Sequence, residues 1–179
     1  MRNEYTKIIH FWFQELSPQQ WWVKSDELDN LIKNRYGDLH KRAIAGELSS
    51  WRNTALGRLA EIIVLDQFSR NIYRGKKESF AQDAMALALT QEMLNLKLDK
   101  TIPSDMRAFC YMPLMHSESA IIHIEALRVF EEFGQNVDFE KKHKNIIDKF
   151  GRFPHRNNIL KRQSTLEEIT FLKGPNSSF

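Results

Sequence analysis

Apolar side chains recur along this chain at intervals of three and four residues, and no segment alternates apolar and polar residues for long. That period is typical of amphipathic α-helices, and the hairpin dipeptides Asn-Gly and Asp-Gly do not occur. The pattern predicts an all-α protein of about eight or nine helices. Short connectors favour antiparallel neighbours, so an array of helix pairs and a compact orthogonal bundle both agree with the pattern.

Serine, proline and glycine residues predict where these helices begin and end. Ser25 is placed to cap a long helix, Pro154 suits the first position of a short one, and Gly151 is expected to end the helix before it. Pro113 is expected to disturb the helix around it. The segment Ser164-Thr165-Leu166-Glu167 has the spacing of a capping box for a last helix. Other predicted helices cover residues 54–68, 80–96, 119–133 and 139–150.

Composition narrows the class of protein. The chain has 179 residues, of which 42% are hydrophobic and 27% charged, and its mean hydropathy is −0.49. These values are typical of a globular protein, and the length predicts one helical domain over residues 1–179. One cysteine, Cys110, excludes an internal disulfide, and no apolar run approaches the ~18 residues of a membrane span. We therefore expect a cytoplasmic protein without membrane contact.

The positive charge is concentrated in one stretch of the chain. The formal net charge is +3 and the pI is about 9.0, and between Lys141 and Arg162 the basic residues face Asp148 alone. A basic patch attracts anions of any size. Because no nucleic-acid motif of defined spacing accompanies it, we interpret the patch as a solvated helix face, with a nucleic-acid partner as the weaker hypothesis.

The first candidate segment carries Asp66, Arg70 and Arg74 at four-residue intervals. On a helix these three side chains share a face. An exposed ion pair of this kind contributes under about 1 kcal/mol, but the apolar run just before it indicates partial burial. A buried arginine held by a carboxylate keeps donors for a ligand, so a structural and a functional role both remain open.

The second candidate is the pair His116 and Glu118. Ser117 or Ser119 can cap the helix that follows, and Glu118 then faces its positive end, which explains these residues without a function. His116 has no such explanation. A histidine beside a carboxylate is the minimum pair for proton transfer, and this alternative stands beside the structural one.

The third candidate follows Pro154, where His155 and Arg156 lie in the first turn of a predicted helix. Cations in a first turn oppose the helix dipole. Two explanations are possible. Either a carboxylate from elsewhere in the fold, Asp66 or Glu118, pairs with these groups, or they bind an external anion together with free backbone amides.

Other chemistries are set aside. The chain has no Gly-x-Ser-x-Gly elbow, phosphate loop or dinucleotide fingerprint. Glu140-x-x-His143 matches one half of a di-metal carboxylate motif whose second copy is absent, and His116 and His123 lack a clear third ligand. We therefore expect neither a metal nor a cofactor, and we interpret Cys110 as an inert core thiol.

Several longer motifs resemble those of one bacterial domain-of-unknown-function family. They are Ile-Ile-His-Phe-Trp-Phe at 8–13, Leu-Asp-Gln-Phe-Ser-Arg-Asn-Ile-Tyr-Arg-Gly at 65–75, His-Ser-Glu at 116–118, Gly-Arg-Phe-Pro-His-Arg-Asn at 151–157 and Ser-Thr-x-Glu-Glu-Ile-x-Phe-Leu at 164–172. The resemblance covers nearly the whole chain. It implies a tetratricopeptide-like array of antiparallel helix pairs but no activity, because the family has none established. The family usually has proline where this chain has Ser69.

Together these segments predict a polar, net-positive pocket for a small anionic ligand, and acid–base hydrolysis of a small ester, amide or phosphate is the simplest reaction that fits. We expect the three segments to meet in space, with His116, Glu118 and His155 as candidate catalytic residues. The candidate ligand-binding residues are Asp66, Arg70, Asn71, Arg74, Arg152, Arg156 and Asn157. The alternative hypothesis is a non-enzymatic scaffold that binds a peptide in a concave groove.

Overall fold

Every regular element of the computed structural model is helical across the residues that it describes, 4–175 and 177. This confirms the all-α class. The α-helices are α1 (Glu4–His10), α2 (Asp26–Ile44), α3 (Ala55–Ile63), α4 (Ser69–Ile72), α5 (Asp83–Asn95), α6 (Ser104–Met115), α7 (Ala120–Phe133), α8 (Val137–Phe150) and α9 (Leu166–Leu172). Two π-helical turns, Phe11–Glu15 and Val64–Phe68, continue α1 and α3. Short 3-10 segments occur at Pro18–Trp21, Ser49–Asn53, Lys77–Phe80, Asp99–Thr101 and Pro154–Arg156.

The chain divides into two compact units. The first comprises Met1–Arg74 with Glu78–Pro113, and the second comprises Gly75–Lys77 with Leu114–Phe179. The expectation of a single domain over 1–179 stays a prediction. None of the described helices is both long and apolar enough to cross a membrane.

The core of the first unit is built around the ring of Phe68. Tyr36 from α2 stacks on it with 5.2 Å between ring centroids, and Phe11 and Trp12 approach the same ring at 6.1 and 5.7 Å. Phe11, Trp12 and Phe68 are at most 1% exposed. Because Phe11 and Trp12 lie in one π-helical turn and Phe68 ends the other, this aromatic packing joins the two turns.

The predicted helix over 54–68 is interrupted. Thr54 is its N-cap, but the α-helical pattern ends at Ile63 and residues 64–68 form one π-helical turn. A π-turn has hydrogen bonds from residue i to i+5 and inserts an extra residue into the helix. Apolar periodicity does not reveal this insertion, because the run 62–65 is apolar throughout.

Pro113 lies inside α6, which ends at Met115. Proline removes one backbone hydrogen bond and crowds the turn before it. Two residues of the helix follow Pro113, so the proline does not end α6 at its own position.

In the second unit, α7 and α8 are consecutive helices that pack against each other. Gly134 ends α7 at φ 75° and Gly151 ends α8 at φ 67°, a left-handed conformation that glycine adopts without strain. One residue, Gln135, separates the C-cap of α7, Gly134, from the N-cap of α8, Asn136, and this tight connection is typical of an antiparallel pair. The wider tetratricopeptide-like array stays a prediction.

The capping box of α9 lies one residue later than the sequence spacing predicts. Thr165 is the N-cap: its hydroxyl accepts from the Glu168 amide at 3.2 Å, and the Glu168 carboxylate accepts from the Thr165 amide at 2.7 Å. The prediction that Ser164 and Glu167 form this box is therefore wrong. Glu168 is favoured because its carboxylate is also bound by Arg152, a contact that the local spacing does not show.

Candidate functional site

Asp66 and Arg70 form a buried ion pair in the first unit. Asp66 lies in the second π-helical turn, is 1% exposed, and has its Oδ1 2.9 Å from Arg70 Nη1. Arg70 also donates to both carboxylate oxygens of Asp83 in α5, at 3.0 and 3.2 Å. Burial opposes the charge, but the two carboxylates outweigh it and raise the pKa of Arg70. The guanidinium is thus held between two aspartates and joins the π-helical turn to α5.

Asn71 and Arg74 bind a single carboxylate, that of Asp29 in α2. Asn71 Nδ2 and Arg74 Nη2 each donate to Asp29 Oδ1 at 2.8 Å, and Arg74 Nε donates to the second oxygen. This hydrogen-bonded ion pair raises the pKa of Arg74. The contacts fasten the segment after the π-helical turn to α2.

A buried histidine that no motif marks, His40, lies beside Ser69 in the same unit. Ser69 has one hydroxyl hydrogen and donates it to the Leu65 carbonyl at 2.6 Å. His40 Nε2, 2.8 Å from the Ser69 hydroxyl oxygen, is therefore the donor of their hydrogen bond. Burial lowers the pKa of His40 to about 4, so the imidazole is neutral near pH 7. A proline at position 69 would lack the hydroxyl that joins α2 to this turn.

In the second unit, polar side chains gather around the ring of Phe153. We call this set the Phe153 cluster, and its members are His116, Glu118, His123, Glu140, His143, Phe153, His155, Arg156, Asn157 and Arg162. Candidates from the second and third sequence segments thus come together within this unit. The expectation that Asp66 and Arg70 of the first segment join them stays a prediction.

Glu118 is the carboxylate that compensates the positive first turn after Phe153. It accepts a hydrogen bond from the Phe153 amide at 2.7 Å and two from Arg162 at 2.6 and 2.9 Å. Partial burial would raise the pKa of Glu118, but Arg162, the amide and nearby Arg156 outweigh it, and the pKa lies below its ordinary value. The hydrogen bonds of Glu118 go to the Phe153 amide and to Arg162, and the pairing of His155 or Arg156 with an internal carboxylate stays a prediction.

Arg156 is buried against the same ring. Its guanidinium lies 4.7 Å from the Phe153 centroid and its Nη2 donates to the His116 carbonyl at 3.0 Å, with 6% of the residue exposed. Asn157, fully buried, accepts a hydrogen bond from Arg162 Nε at 3.0 Å. These contacts hold a mostly buried guanidinium against the Phe153 ring, and hydrogen bonds from a charged donor to an anion are strong.

Arg152, a predicted ligand-binding residue, is bound to Glu168 of α9 instead. Its Nε and Nη2 donate to the two carboxylate oxygens at 2.7 and 2.8 Å, and Nη2 also donates to the Gln163 carbonyl at 2.9 Å. The ion pair lowers the pKa of Glu168 to about 2. This bidentate pair fastens α9 to the turn after α8.

His123 and Glu140 form a wholly buried hydrogen-bonded pair between α7 and α8. Nε2 of His123 lies 2.8 Å from the Ser117 carbonyl, which only accepts, so Nε2 carries a hydrogen. Nδ1 lies 2.7 Å from Glu140 Oε1. Burial raises the pKa of Glu140 despite the opposing effect of His123, and no described residue donates to Glu140 Oε2. Both observations favour the protonated carboxyl group of Glu140, which in that state donates to Nδ1 of His123.

His143 is held in one tautomer. Its Nδ1 lies 2.8 Å from the Phe139 carbonyl one turn earlier in α8, so Nδ1 carries the hydrogen. Burial lowers the pKa of His143 to about 3 and outweighs the opposing effect of the hydrogen bond to the Phe139 carbonyl. The imidazole is neutral, and its lone pair is on Nε2.

Three titratable members of the Phe153 cluster are not among the predicted site residues: His123, Glu140 and His143. A signal for them exists in the sequence, since Glu140-x-x-His143 places both side chains on one helix face. Their relation to His123 and Phe153 depends on tertiary packing. In the described ranges, 4–175 and 177, no group of three or more His, Cys, Asp or Glu side chains is arranged to hold a metal ion.

Comparisons with known proteins agree with this architecture. The family model of DUF924, a bacterial protein of unknown function, matches residues 8–176. A solved structure, described as a protein of unknown function, ATU0120, from Agrobacterium tumefaciens, is 34% identical, has a TM-score of 0.91 and is matched over 95% of this chain and 97% of that one. No curated protein matches the chain.

Proposed function

Because this chain belongs to DUF924, a family of bacterial proteins of unknown function, we propose its function from its own geometry: the Phe153 cluster binds a small anionic molecule and exchanges a proton with it. Arg156 is the proposed anion-binding group. His116 and His155, which are half-buried and therefore reachable, are the proposed proton donors and acceptors.

One observation carries the proposal, the gathering of imidazoles around a single apolar ring. The rings of His123, His143 and His155 lie 6.2, 5.7 and 5.6 Å from the Phe153 ring, and His116 is near enough to act on the charge of His143. Several titratable side chains gathered around one partly buried place, with the pKa of His143 lowered by burial, are a candidate functional site.

Arg156 supports an acidic ligand. A hydrogen bond from the guanidinium to a carboxylate or phosphate is about twice as strong as one between neutral groups, because both partners are charged. A bound anion also favours the protonated form of a neighbouring imidazole. Ligand binding would therefore favour the protonated form of His155 or His116, which could then act as a general acid. This role fits acid–base hydrolysis of a small ester, amide or phosphate.

Glu118 and Asn157 have a positioning role in this proposal. The pKa of Glu118 lies below its ordinary value because Arg162, the Phe153 amide and Arg156 outweigh the effect of burial, so the group stays ionised and holds the turn at Phe153. Asn157 accepts from Arg162 and donates to Ser164 at 3.1 Å. Together they fix the backbone that presents His155 and Arg156.

The remaining predicted residues have contacts that favour a structural role. Arg70, Arg74 and Arg152 are bound to the carboxylates described above, and an incoming anion would have to displace those carboxylates. Asp66 and Asn71 are likewise engaged in joining helices. The proposed ligand site is therefore confined to the second unit.

A thermal-shift titration tests this site. Inorganic phosphate, acetate and phenyl phosphate are added at pH 7 and constant ionic strength, and at least one of them is expected to raise the melting temperature of the wild-type chain. The rise is expected to disappear in Arg156→Lys, which keeps a charge but loses the planar guanidinium.

Arg152→Lys is the matched control, because it makes the same substitution at an arginine bound to Glu168. It is expected to keep the ligand-induced rise. The proposal fails if no anion raises the melting temperature of the wild type, or if both variants lose the rise equally. For the hydrolytic step, release of p-nitrophenol from its phosphate or acetate ester must depend on His155.

The second candidate function is a non-enzymatic scaffold that binds a peptide. It is favoured by the all-helical architecture together with large apolar side chains left exposed in the second unit, such as Phe139 at 55%. This candidate predicts a protein partner that is bound independently of Arg156.

We also propose a cytoplasmic location. The supporting observation is the single cysteine, Cys110, a buried free thiol. Burial raises its pKa, so it has the chemistry of a core residue and shows no sign of disulfide formation.

A further inference from the structure

An open groove with an apolar floor and a basic rim lies between α8 and α9. Its volume is about 270 Å³. Ile146, Phe150 and Phe171 form the floor, with 5.1 Å between the two phenylalanine rings, and Lys142 and Lys149 stand on the rim. The floor residues share one apolar core with Ile147 and Phe153, but the polar side chains of the Phe153 cluster do not line the groove.

We propose that this groove binds an acidic amphipathic helix of another protein. The groove residues of α8 continue a stripe that starts at Phe139, because residues 139, 142, 146, 149 and 150 share one helix face. At 1.5 Å per residue this stripe is about 17 Å long. A partner helix of about three turns has the same length, and its apolar anchors at i, i+3 or i+4, and i+7 would follow the floor.

The charges of the stripe select an acidic partner. Lys142 lies 5.5 Å from the Phe139 ring and Lys149 lies 5.0 Å from the Phe150 ring, so each ammonium group flanks an aromatic anchor site. Lys149 is also 3.0 Å from Glu167, but both side chains are more than half exposed. An exposed pair contributes under about 1 kcal/mol, and a carboxylate of the partner can replace Glu167.

The openness of the groove favours a helix over a small molecule. Small-molecule sites bury roughly 70–90% of their ligand. Here Lys142, Asn145, Lys149 and Pro175 are exposed around the groove, and a compact ligand on this floor would stay largely in water. A helix lying along α8 would also cover Phe139, which is 55% exposed.

The test uses a labelled synthetic peptide of three helical turns, with leucine and phenylalanine on one face and glutamate on both flanks. Its binding to the full chain is measured by fluorescence anisotropy at low and high salt. We expect saturable binding that weakens with salt. A peptide with the same apolar face but lysine in place of glutamate is expected to bind at least tenfold more weakly.

Variants assign the binding to the groove. The double variant Lys142→Glu with Lys149→Glu is expected to bind the acidic peptide at least tenfold more weakly than the wild type. The control is the double variant Lys24→Glu with Lys33→Glu, which replaces two exposed lysines of the first unit. It changes the net charge by the same amount and is expected to change the affinity less than twofold. Circular dichroism verifies that both double variants are folded.

Several outcomes would overturn the proposal. One is the absence of peptide binding at millimolar concentration. Another is an equal loss of affinity in both double variants, which would show that the peptide is attracted by the positive charge of the chain as a whole. A third is a concentration-dependent dimer of the chain that the Lys142/Lys149 variant abolishes, because the groove would then belong to a second copy. Preference for the lysine peptide would exclude charge complementarity altogether.

Discussion

Nδ1 of His123 lies 2.7 Å from Oε1 of Glu140, and neither side chain is exposed to solvent. The pair can exist as a carboxylic acid with a neutral imidazole or as a carboxylate with an imidazolium. Among the described residues, Oε2 of Glu140 has no hydrogen-bond partner, and burial raises the pKa of the acid. Both observations favour the protonated carboxyl group.

The first prediction is that Glu140→Gln leaves the fold nearly as stable as the wild type near pH 6, within about 1 kcal/mol. The glutamine amide donates to His123 Nδ1 as the neutral acid does. Glu140→Ala removes the donor and leaves a cavity, and is expected to cost about 2–4 kcal/mol. Urea denaturation measures both. If Glu140→Gln costs as much as the alanine variant, the pair is ionic, because an imidazolium would then be buried without its partner.

The pH dependence of the same variant gives a second test of the assignment. A raised pKa means that folded Glu140 retains a proton that the unfolded chain releases at its ordinary pKa of 4.5. The folded state then binds more protons, and the free energy of unfolding that this group contributes falls as the pH rises above that value. Glu140→Gln lacks this group, so its stability relative to wild type is expected to increase from pH 5 to pH 8.

The second prediction concerns Glu118, which holds the Phe153 amide and Arg162. Glu118→Gln loses the bidentate ion pair and is expected to lower the free energy of unfolding by about 1–3 kcal/mol. Asp148→Asn is the control, since its pair with Lys144 is half-exposed and is expected to change stability by under about 0.5 kcal/mol. Equal effects of the two substitutions would show that Glu118 does not organise this turn.

The third prediction is acid sensitivity caused by buried neutral histidines. The unfolded chain protonates histidine near pH 6.5, whereas folded His143 and His40 remain neutral down to about 3 and about 4. At a pH below 6.5 but above these lowered pKa values, the unfolded chain binds more protons than the folded chain. The free energy of unfolding therefore falls as the pH drops from about 7 to 4.

His143→Gln is expected to flatten this pH dependence, because glutamine still donates to the Phe139 carbonyl but does not titrate. His10→Gln is the matched control, since the His10 side chain is 63% exposed. Urea unfolding at several pH values gives the slopes. A His143→Gln slope equal to that of wild type would show that His143 titrates normally in the folded chain.

The fourth prediction tests the structural role assigned to Arg70. A lysine in its place cannot bind Asp66 and both oxygens of Asp83 at once, so Arg70→Lys is expected to cost about 1–3 kcal/mol. Arg128→Lys alters an exposed pair 3.8 Å apart and is expected to be neutral. A neutral Arg70→Lys would free this guanidinium for a ligand role and contradict the assignment.

The helix pattern could be predicted because caps and periodicity are local. Ser25, for example, accepts from the Leu28 amide at 3.2 Å, as its position before an acidic first turn indicates. The π-helical turn at 64–68 could not be predicted, because it begins inside an apolar run and the composition of that run does not change there. The cap of α9 was misplaced because a distant contact, Arg152 with Glu168, selects it.

The candidate site shows the same division between local and distant information. Four-residue spacing predicts that Asp66 and Arg70 share a helix face, and the two side chains form an ion pair. The other partners, Asp83 of Arg70 and Asp29 of Arg74, lie 13 and 45 residues away, and no spacing rule links them. The spacing of Glu140-x-x-His143 is local and matches half of a metal motif, which is set aside because its second copy is absent. Its actual contact, between Glu140 and His123, appears when α7 and α8 pack.

The most direct test of the proposed site is nitrogen-15 NMR of the histidine side chains at pH 7, with inorganic phosphate or acetate added at constant ionic strength. We predict that His143 is neutral with its hydrogen on Nδ1, and that His155 or His116 shifts toward the protonated form as the anion binds, while His10 and His40 do not respond. The account is contradicted if His143 is protonated without ligand, or if His10 responds as strongly as His155.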